Sequence, residues 1–442
     1  MSEESVVAVT PQPVAGAAVA PGQTRAVVAA SIGNMLEWYD FTVYALFAGY
    51  IAGNFFVSDA SSANLLKAFL AFGLGFVVRP LGALLIGNYG DRAGRKAALT
   101  LTILLMAAGT AIIALAPTYA AIGIGAPLLL LLGRVLQGFS AGGEVGGATA
   151  YLLESASEEH RGVVSSWLEA SMGISNILGA LAAFLVTALL VPRDVEAWGW
   201  RLPFLFGLLI LPAGLFLRRT LQETEAFQTE TARRQREQSV APPLLEVFRH
   251  HARELIVGIG VAVLWAVAVY VLIVYSPVYV QVSFHFTARQ AFGASLIGNL
   301  LFVPTCVICG SLSDRLGRRR MLTTSAVLLL VCVLPLFMWL KASPTTSTLV
   351  CVLTAFCVLV ASFVGVAPAA LAEIFPTGVR ATGMSIVYNG AFTLFGGFAP
   401  AILTWLTQRL GLSVFAPAWY VMLAAVVALI ALPFVRAKTC HP

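Results

Sequence analysis

Residues Gly87-Asn88-Tyr89-Gly90-Asp91-Arg92-Ala93-Gly94-Arg95-Lys96 form a compact run of glycines, one acid and three bases between two long apolar segments. The run has a near-copy 223 positions later, Gly310-Ser311-Leu312-Ser313-Asp314-Arg315-Leu316-Gly317-Arg318-Arg319. Both read G-x-x-x-D-R-x-G-R-[KR], an unusual density of agreement in a chain so poor in charge. A second echo lies nearby. Glu154 and Arg161 follow the fourth apolar segment, and Glu373 and Arg380, with the same spacing, follow the tenth, at an offset of 219. Two motifs at matching loops divide the chain into two related halves.

Composition fixes the solvent. Of 442 residues, 59% are hydrophobic and 11% charged, against about 25% charged in soluble domains. Apolar windows of 18 residues or more recur, each long enough to cross roughly 30 Å of hydrocarbon. The short period-2 segments of a membrane barrel are absent. The expected class is an all-α integral membrane protein with twelve transmembrane helices in two pseudo-symmetric six-helix bundles. A net charge of +6 does not point to nucleic acid, because the bases sit in short loops, where topology explains them. Cys306-x-x-Cys309 has metal-like spacing but lacks a companion pair or His, so its cysteines read as small buried hydrophobes.

The divisions follow. Residues 1–24 read as a flexible tail, 25–220 as the first bundle, 221–252 as a polar central loop, 253–436 as the second bundle and 437–442 as a short tail. With both termini in the cytoplasm, nineteen Lys and Arg fall inside and six outside, the bias expected of a multi-pass protein of a bacterial inner membrane. Two parallel halves around a midplane site is the layout of many secondary transporters.

The paired loops resemble the signature of the major facilitator superfamily. Further stretches narrow the likeness: Gly33-Asn34-Met35-Leu36-Glu37-Trp38-Tyr39-Asp40-Phe41, Arg79-Pro80-Leu81-Gly82, Gln137-Gly138-Phe139-Ser140-Ala141-Gly142-Gly143-Glu144 and Trp198-Gly199-Trp200-Arg201-Leu202-Pro203-Phe204. Together they resemble the metabolite:proton symporter branch, which includes citrate, α-ketoglutarate, shikimate and proline/betaine carriers. Val274-Tyr275-Ser276-Pro277-Val278-Tyr279 is similar to the citrate carriers, whereas Tyr388-Asn389-Gly390 is closer to the proline/betaine carriers. The resemblance implies alternating access driven by a proton gradient. It implies no cofactor and no metal, and a monomer whose partners are a small-molecule substrate, protons and lipid.

Charge inside a bilayer faces a cavity or a partner. The first half holds Glu37, Asp40, Arg79, Arg134, Glu144 and Glu169 in or near its spans; the second holds almost none before Glu373. Glu37 and Asp40, three apart, share a helix face that Tyr44 continues. With Glu144 they are the candidate proton-coupling residues, since desolvation favours a neutral carboxyl and a neighbouring Arg the ionised one. A fixed ion pair is the alternative. Arg79 and Arg134 are candidates for a substrate carboxylate, which a guanidinium meets as a two-bond fork; an internal salt bridge is the other reading. Gln137 and Tyr44, with Tyr275, Tyr279, Asn299 and Asn389 of the second half, are the remaining substrate-binding candidates. Pro277 and Pro400 mark expected kinks. His285 reads as a solvated loop residue.

The loop residues are expected to work as a conformational latch. These are Gly87, Asp91, Arg92, Gly94 and Arg95, their counterparts Gly310, Asp314, Arg315, Gly317 and Arg318, and the pairs Glu154/Arg161 and Glu373/Arg380. Asp91 can cap a neighbouring helix N-terminus or pair with an Arg. The expected function is proton-coupled symport of a citrate-like di- or tricarboxylate, with a zwitterion such as proline or betaine as the alternative. No catalytic constellation is present, so an enzyme is not expected.

Overall fold

The computed structural model describes residues 21–57, 61–93, 95–142, 148–149, 152–153, 156–209, 243–376, 379–410 and 413–435. Among them every regular element is helical. Among the described residues eight helices are long and apolar enough to cross a membrane, including span seven (Ala252–Phe284), span ten (Thr346–Ile374) and span eleven (Arg380–Gln408). They are joined by the two-piece first span (Pro21–Leu46 and Ala48–Phe55) and the shorter apolar helices Thr100–Leu115 and Gly125–Ala141 of spans three and four. Span six is described over 202–209. Helix begins at Pro21, inside the segment read as a tail. Pro243–His250, inside the segment read as a central loop, is also helical and buries Val247.

The outer surface is apolar: Leu81, Leu85, Ile308, Val331 and Ile430 are among many exposed large side chains. This is the surface expected where the solvent is lipid. Packing inside relies on close backbone approach. A Cβ at Gly82, Gly138 or Gly142 would overlap backbone atoms of Phe139, Gly75 and Arg79 respectively, so spans two and four touch main chain to main chain. Small residues permit this where no hydrophobic force drives helices together.

Three irregularities in the helices lie next to a proline. Span two divides at Val78, between Ser61–Val77 and Arg79–Ala93, with Pro80 in the first turn of the second piece. Wide π-turns run through Val269–Tyr275 and Phe392–Gly397, just before Pro277 and Pro400. A proline has no N–H to give to the preceding turn, and a π-turn absorbs the resulting mismatch. The expected kinks take this form. His285 is exposed and adopts the left-handed conformation (φ 58°) that ends span seven.

The halves meet along two seams. Span five (Arg161–Leu189) lies along span eight (Ala288–Leu316) over its whole length. Gly162 and Gly310 are in contact at one end, Gly173 and Phe302 in the middle, and Phe184 and Gly293 at the other. Span two meets spans seven and eleven through Phe69 on Tyr275 (ring centroids 5.4 Å), Gly73 under Phe398, and Thr393 donating to the Phe76 carbonyl at 3.0 Å. Spans five and eight are thus in contact along their whole length, and span two touches spans seven and eleven over Phe69–Phe76.

Candidate functional site

Span one supplies the first two charged groups, and they part company. Glu37 and Asp40 do share a face, but each turns to a different neighbour. Glu37 accepts from Arg79 Nη2 at 2.9 Å in a fully buried ion pair. Asp40 makes no such pair. Its Oδ2 accepts from the Thr110 hydroxyl of span three and from Gln137 Nε2 of span four at 3.3 Å. On the other side Gly207 of span six leaves room for it, since a Cβ there would sit 3.2 Å from Asp40 Oδ1.

Arg134 completes the chain. Its Nη1 donates to Gln137 Oε1 at 2.8 Å, and Gln137 Nε2 donates to Thr110 Oγ1 at 2.9 Å as well as to Asp40. Guanidinium and carboxylate are thus joined through one amide rather than directly. Arg134 Nη2 reaches the Phe72 carbonyl at 3.3 Å, and its plane lies 4.4 Å from the Tyr44 ring and 4.6 Å from Phe41. Arg79 is clasped similarly, 4.3 Å from Phe76 and 4.7 Å from Phe41. Aromatic faces stabilise a desolvated cation without occupying its donors. Arg79 Nε and Nη1 and Arg134 Nε have no hydrogen-bond partner among the described residues. A buried polar group in that condition is costly, and it marks where a ligand's acceptors can be received.

The second half faces this cluster with neutral groups. Trp38 and Tyr270 meet across the halves at 5.8 Å, and Phe72 and Phe76 also pack on Tyr270. The Tyr270 hydroxyl and the Trp265 indole N–H have no partner among the described residues. The other candidates are engaged with protein. The Tyr44 hydroxyl donates to the Ala68 carbonyl at 3.0 Å, Tyr275 bonds Thr404 Oγ1 at 3.0 Å, and Tyr279 donates to the Val414 carbonyl. Asn299 Nδ2 turns to the Ser295 carbonyl of its own helix at 2.9 Å, and Asn389 Nδ2 to the Gly142 carbonyl at 3.2 Å. Tyr44, Arg79, Arg134, Gln137, Asp40 and Glu37 therefore form one cluster. Tyr275, Tyr279, Asn299 and Asn389 are distributed along the seams. Glu144 lies outside the described residues.

Thr110, Trp265 and the ring set Phe41/Phe72/Phe76 were not singled out by sequence. Thr110 is one of three threonines in its helix, with Thr100 and Thr102, and nothing in the sequence sets it apart from them. A cavity of about 600 Å³ opens away from this cluster. Gly49, Tyr50, Asn54, Arg193, Glu196 and Gln281 line it, at the end of the molecule opposite the loop motifs. It is separate from the packed centre.

At the motif end the second copy is fully engaged. Asp314 caps span five of the other half: Gly162 N donates to Oδ1 at 2.8 Å and Val163 N to Oδ2 at 3.0 Å. Arg318 holds the same carboxylate at 2.7 Å, donates to Ser313 Oγ at 2.6 Å and reaches Glu373 at 3.5 Å. Gly317 turns the chain at φ 91°, which favours glycine. A Cβ on Gly310 would come within 2.7 Å of the Gly162 carbonyl. Arg380 Nε donates to the Ala372 carbonyl at 3.1 Å, and Arg161 pairs with Glu158 at 3.1 Å. Arg315 is exposed. The capping role considered for Asp91 is thus filled, in the second half, by Asp314. Gly94 and Glu154, and the side chains of Asp91, Arg92 and Arg95, lie outside the described residues, as does any side-chain contact at Gly87. No group of residues suited to a metal ion occurs among the described residues.

Comparisons with known proteins agree with this architecture. Residues 30–400 and 307–439 match the Major Facilitator Superfamily. The chain is 37% identical to a citrate-proton symporter of Salmonella typhi, over 94% of this chain and 95% of that protein. It is 33% identical to the glycine betaine/proline/ectoine/pipecolic acid transporter OusA of Dickeya dadantii (strain 3937), over 95% and 84%. Among solved structures, the xylose transporter XylE from E. coli, in a partially occluded inward-open conformation, superposes with a TM-score of 0.74. That match has 18% identity and covers 95% of this chain and 99% of that one.

Proposed function

The chain belongs to the major facilitator superfamily, and from that premise we propose that it is a proton-coupled symporter for a small organic acid of the citrate class. It is a transporter and not an enzyme. The substrate reading rests on one observation: two fully buried guanidiniums, Arg79 and Arg134, keep donors without partners, and Arg134 is joined to the acid Asp40 only through Gln137. A di- or tricarboxylate supplies the missing acceptors, in the paired geometry that Arg favours.

The proton enters at Asp40. A bare carboxylate beside an arriving anion is repelled in a low-dielectric centre, so protonation of Asp40 and binding of substrate favour each other. Gln137 relays the change. When Asp40 gains a proton it no longer needs the Gln137 amide, and Arg134 Nη1 is released toward the substrate. Glu37 keeps Arg79 in place and is the second candidate for exchange; Glu144 is a third. Turnover rocks the bundle of 25–220 against that of 253–436, in a bacterial inner membrane with the motif end cytoplasmic. The working unit is a monomer, the proton gradient supplies the energy, and no cofactor takes part.

A second reading has its own support. The rings of Trp38, Phe76 and Tyr270 gathered beside Glu37 suit a quaternary ammonium held by cation–π contact, and the OusA relative is named for such solutes.

Uptake of labelled citrate and labelled betaine into proteoliposomes at two external pH values separates the two. Citrate uptake that is saturable, rises on acidification and is not displaced by betaine is expected. Saturable betaine uptake without citrate competition would overturn the substrate assignment. Asp40→Asn is expected to abolish accumulation against a gradient while leaving exchange measurable. Undiminished gradient-driven accumulation in that variant would remove Asp40 from the mechanism.

A further inference from the structure

One buried acid is not used above. Glu169 sits on span five, two turns in from the end that Asp314 caps, and is 4% exposed. Its Oε2 has no hydrogen-bond partner among the described residues. On the helix face that Glu169 shares with Ser166 and Gly173, span five lies against Gly310, Phe302 and Val303 of span eight, which belongs to the other half, and the Trp265 indole of span seven also faces it. None of these is a cation. The remaining charged groups on packed elements are engaged elsewhere: Glu37 of span one with Arg79, and Glu373 of span ten with Arg318. Arg134 is turned to Gln137.

The part of the cover over Glu169 that span eight and span seven supply is present only while the halves are closed at the motif end. An ionised carboxylate shut into that seam would stand in low dielectric without a counter-ion, which is strongly unfavourable. A neutral acid avoids most of this cost. When the seam opens, spans seven and eight withdraw, water reaches the group, and at neutral pH it ionises. Asp40 is placed differently: its neighbours Thr110, Gln137 and Gly207 all belong to its own half, so its surroundings do not depend on closure in the same way.

We propose that Glu169 is a second proton site, which must take a proton from the cytoplasmic side before the two halves can close there. The balance is simple. Closure converts the carboxylate and a proton from that side into the carboxylic acid. Opening returns the proton to the same side, so the site moves no net charge across the membrane. It makes the rate of cytoplasmic closure depend on cytoplasmic pH, independently of the proton that drives uptake. The inference rests on the alternating-access reading and its orientation, not on the identity of the substrate.

Cys306, buried beside Glu169, provides a native reporter. Proteoliposomes of the full chain are held at fixed external pH while internal pH is raised, and alkylation of Cys306 by N-ethylmaleimide is read by peptide mass spectrometry. In the wild type, labelling is expected to rise with internal pH beyond the response of the thiol itself, by up to about tenfold per unit for a one-proton step. In Glu169→Gln the excess disappears and only the thiol's own response remains. Glu169→Asp, which keeps a carboxyl, retains the excess. Asp40→Asn also retains it while losing gradient-driven accumulation, which separates this site from the coupling site. Should Glu169→Gln not fold, Glu169→Asp decides: its excess is expected to shift along the internal-pH axis relative to the wild type, and an unshifted profile overturns the proposal. An identical dependence on internal pH in Glu169→Gln and the wild type overturns the proposal, and so does a wild type with no such dependence.

Discussion

The two halves of this protein share a fold and a loop motif, yet their interiors follow different chemistry. The first carries Glu37, Asp40, Arg79, Arg134 and Glu169, all buried. The second presents Tyr270, Tyr275, Tyr279, Asn299, Tyr388 and Asn389, buried and neutral. Burying charge is expensive unless partners compensate, and the first half meets the cost internally, through the Glu37–Arg79 pair and the Arg134–Gln137–Asp40 chain. The second half then serves as a movable apolar cover. It can approach or leave without breaking an ion pair in the centre, and its position sets how much water the charges of the first half see. At the motif end the roles are reversed: the described charge, Asp314, belongs to the second half and grips the first.

Arg134→Ala tests this asymmetry most severely. Removing one member of a buried charged network costs about 3–5 kcal/mol. Initial uptake is expected to fall by about a hundredfold or more, with lower thermal stability in detergent. Arg134→Lys is expected to restore the stability but not the uptake, because an ammonium cannot reproduce the fork toward Gln137 and substrate. Recovery of transport with Lys would show that charge alone is needed.

Asp314→Ala comes next. It leaves Gly162 N and Val163 N uncapped and frees Arg318, a loss of about 1–2 kcal/mol. The motif end is expected to open about tenfold more often, read as a longer distance between spin labels at Glu158→Cys and Arg315→Cys. An unchanged distance distribution would mean that Asp314 caps the helix without latching the halves. Smallest is Tyr275→Phe, which removes the hydroxyl bonded to Thr404. About 1 kcal/mol, or roughly a fivefold change in apparent substrate affinity, is expected in concentration-dependent uptake. A loss as large as that of Arg134→Ala would place chemistry, and not only cover, in the second half.

Much of this was legible in the chain. Apolar runs of membrane length, the duplicated G-x-x-x-D-R-x-G-R-[KR] loops and the clustering of intramembrane charge in the first half gave the fold class and the charged members of the site. Backbone hydrogen bonds must be satisfied within each span, so hydropathy maps directly onto helices. Pro277 and Pro400 announced their irregular turns for a similarly local reason. Partner choice was not legible. Glu37 and Asp40 share a face, but a shared face does not say which neighbouring helix each side chain reaches.

The sequence alone determined what is local or periodic: membrane class, two related halves, the loop motifs and which side chains carry charge. Only the tertiary structure decided what each charge meets. Arg79 lies 42 residues from Glu37, Thr110 lies 70 from Asp40, and Gly162 lies 152 from Asp314. It also decided that Glu169 is covered in part by the opposite half. Such contacts depend on how spans rotate and cross. In a bilayer that is set by close packing of small residues and by the few polar groups that must find one another, and neither leaves a periodic trace along the chain.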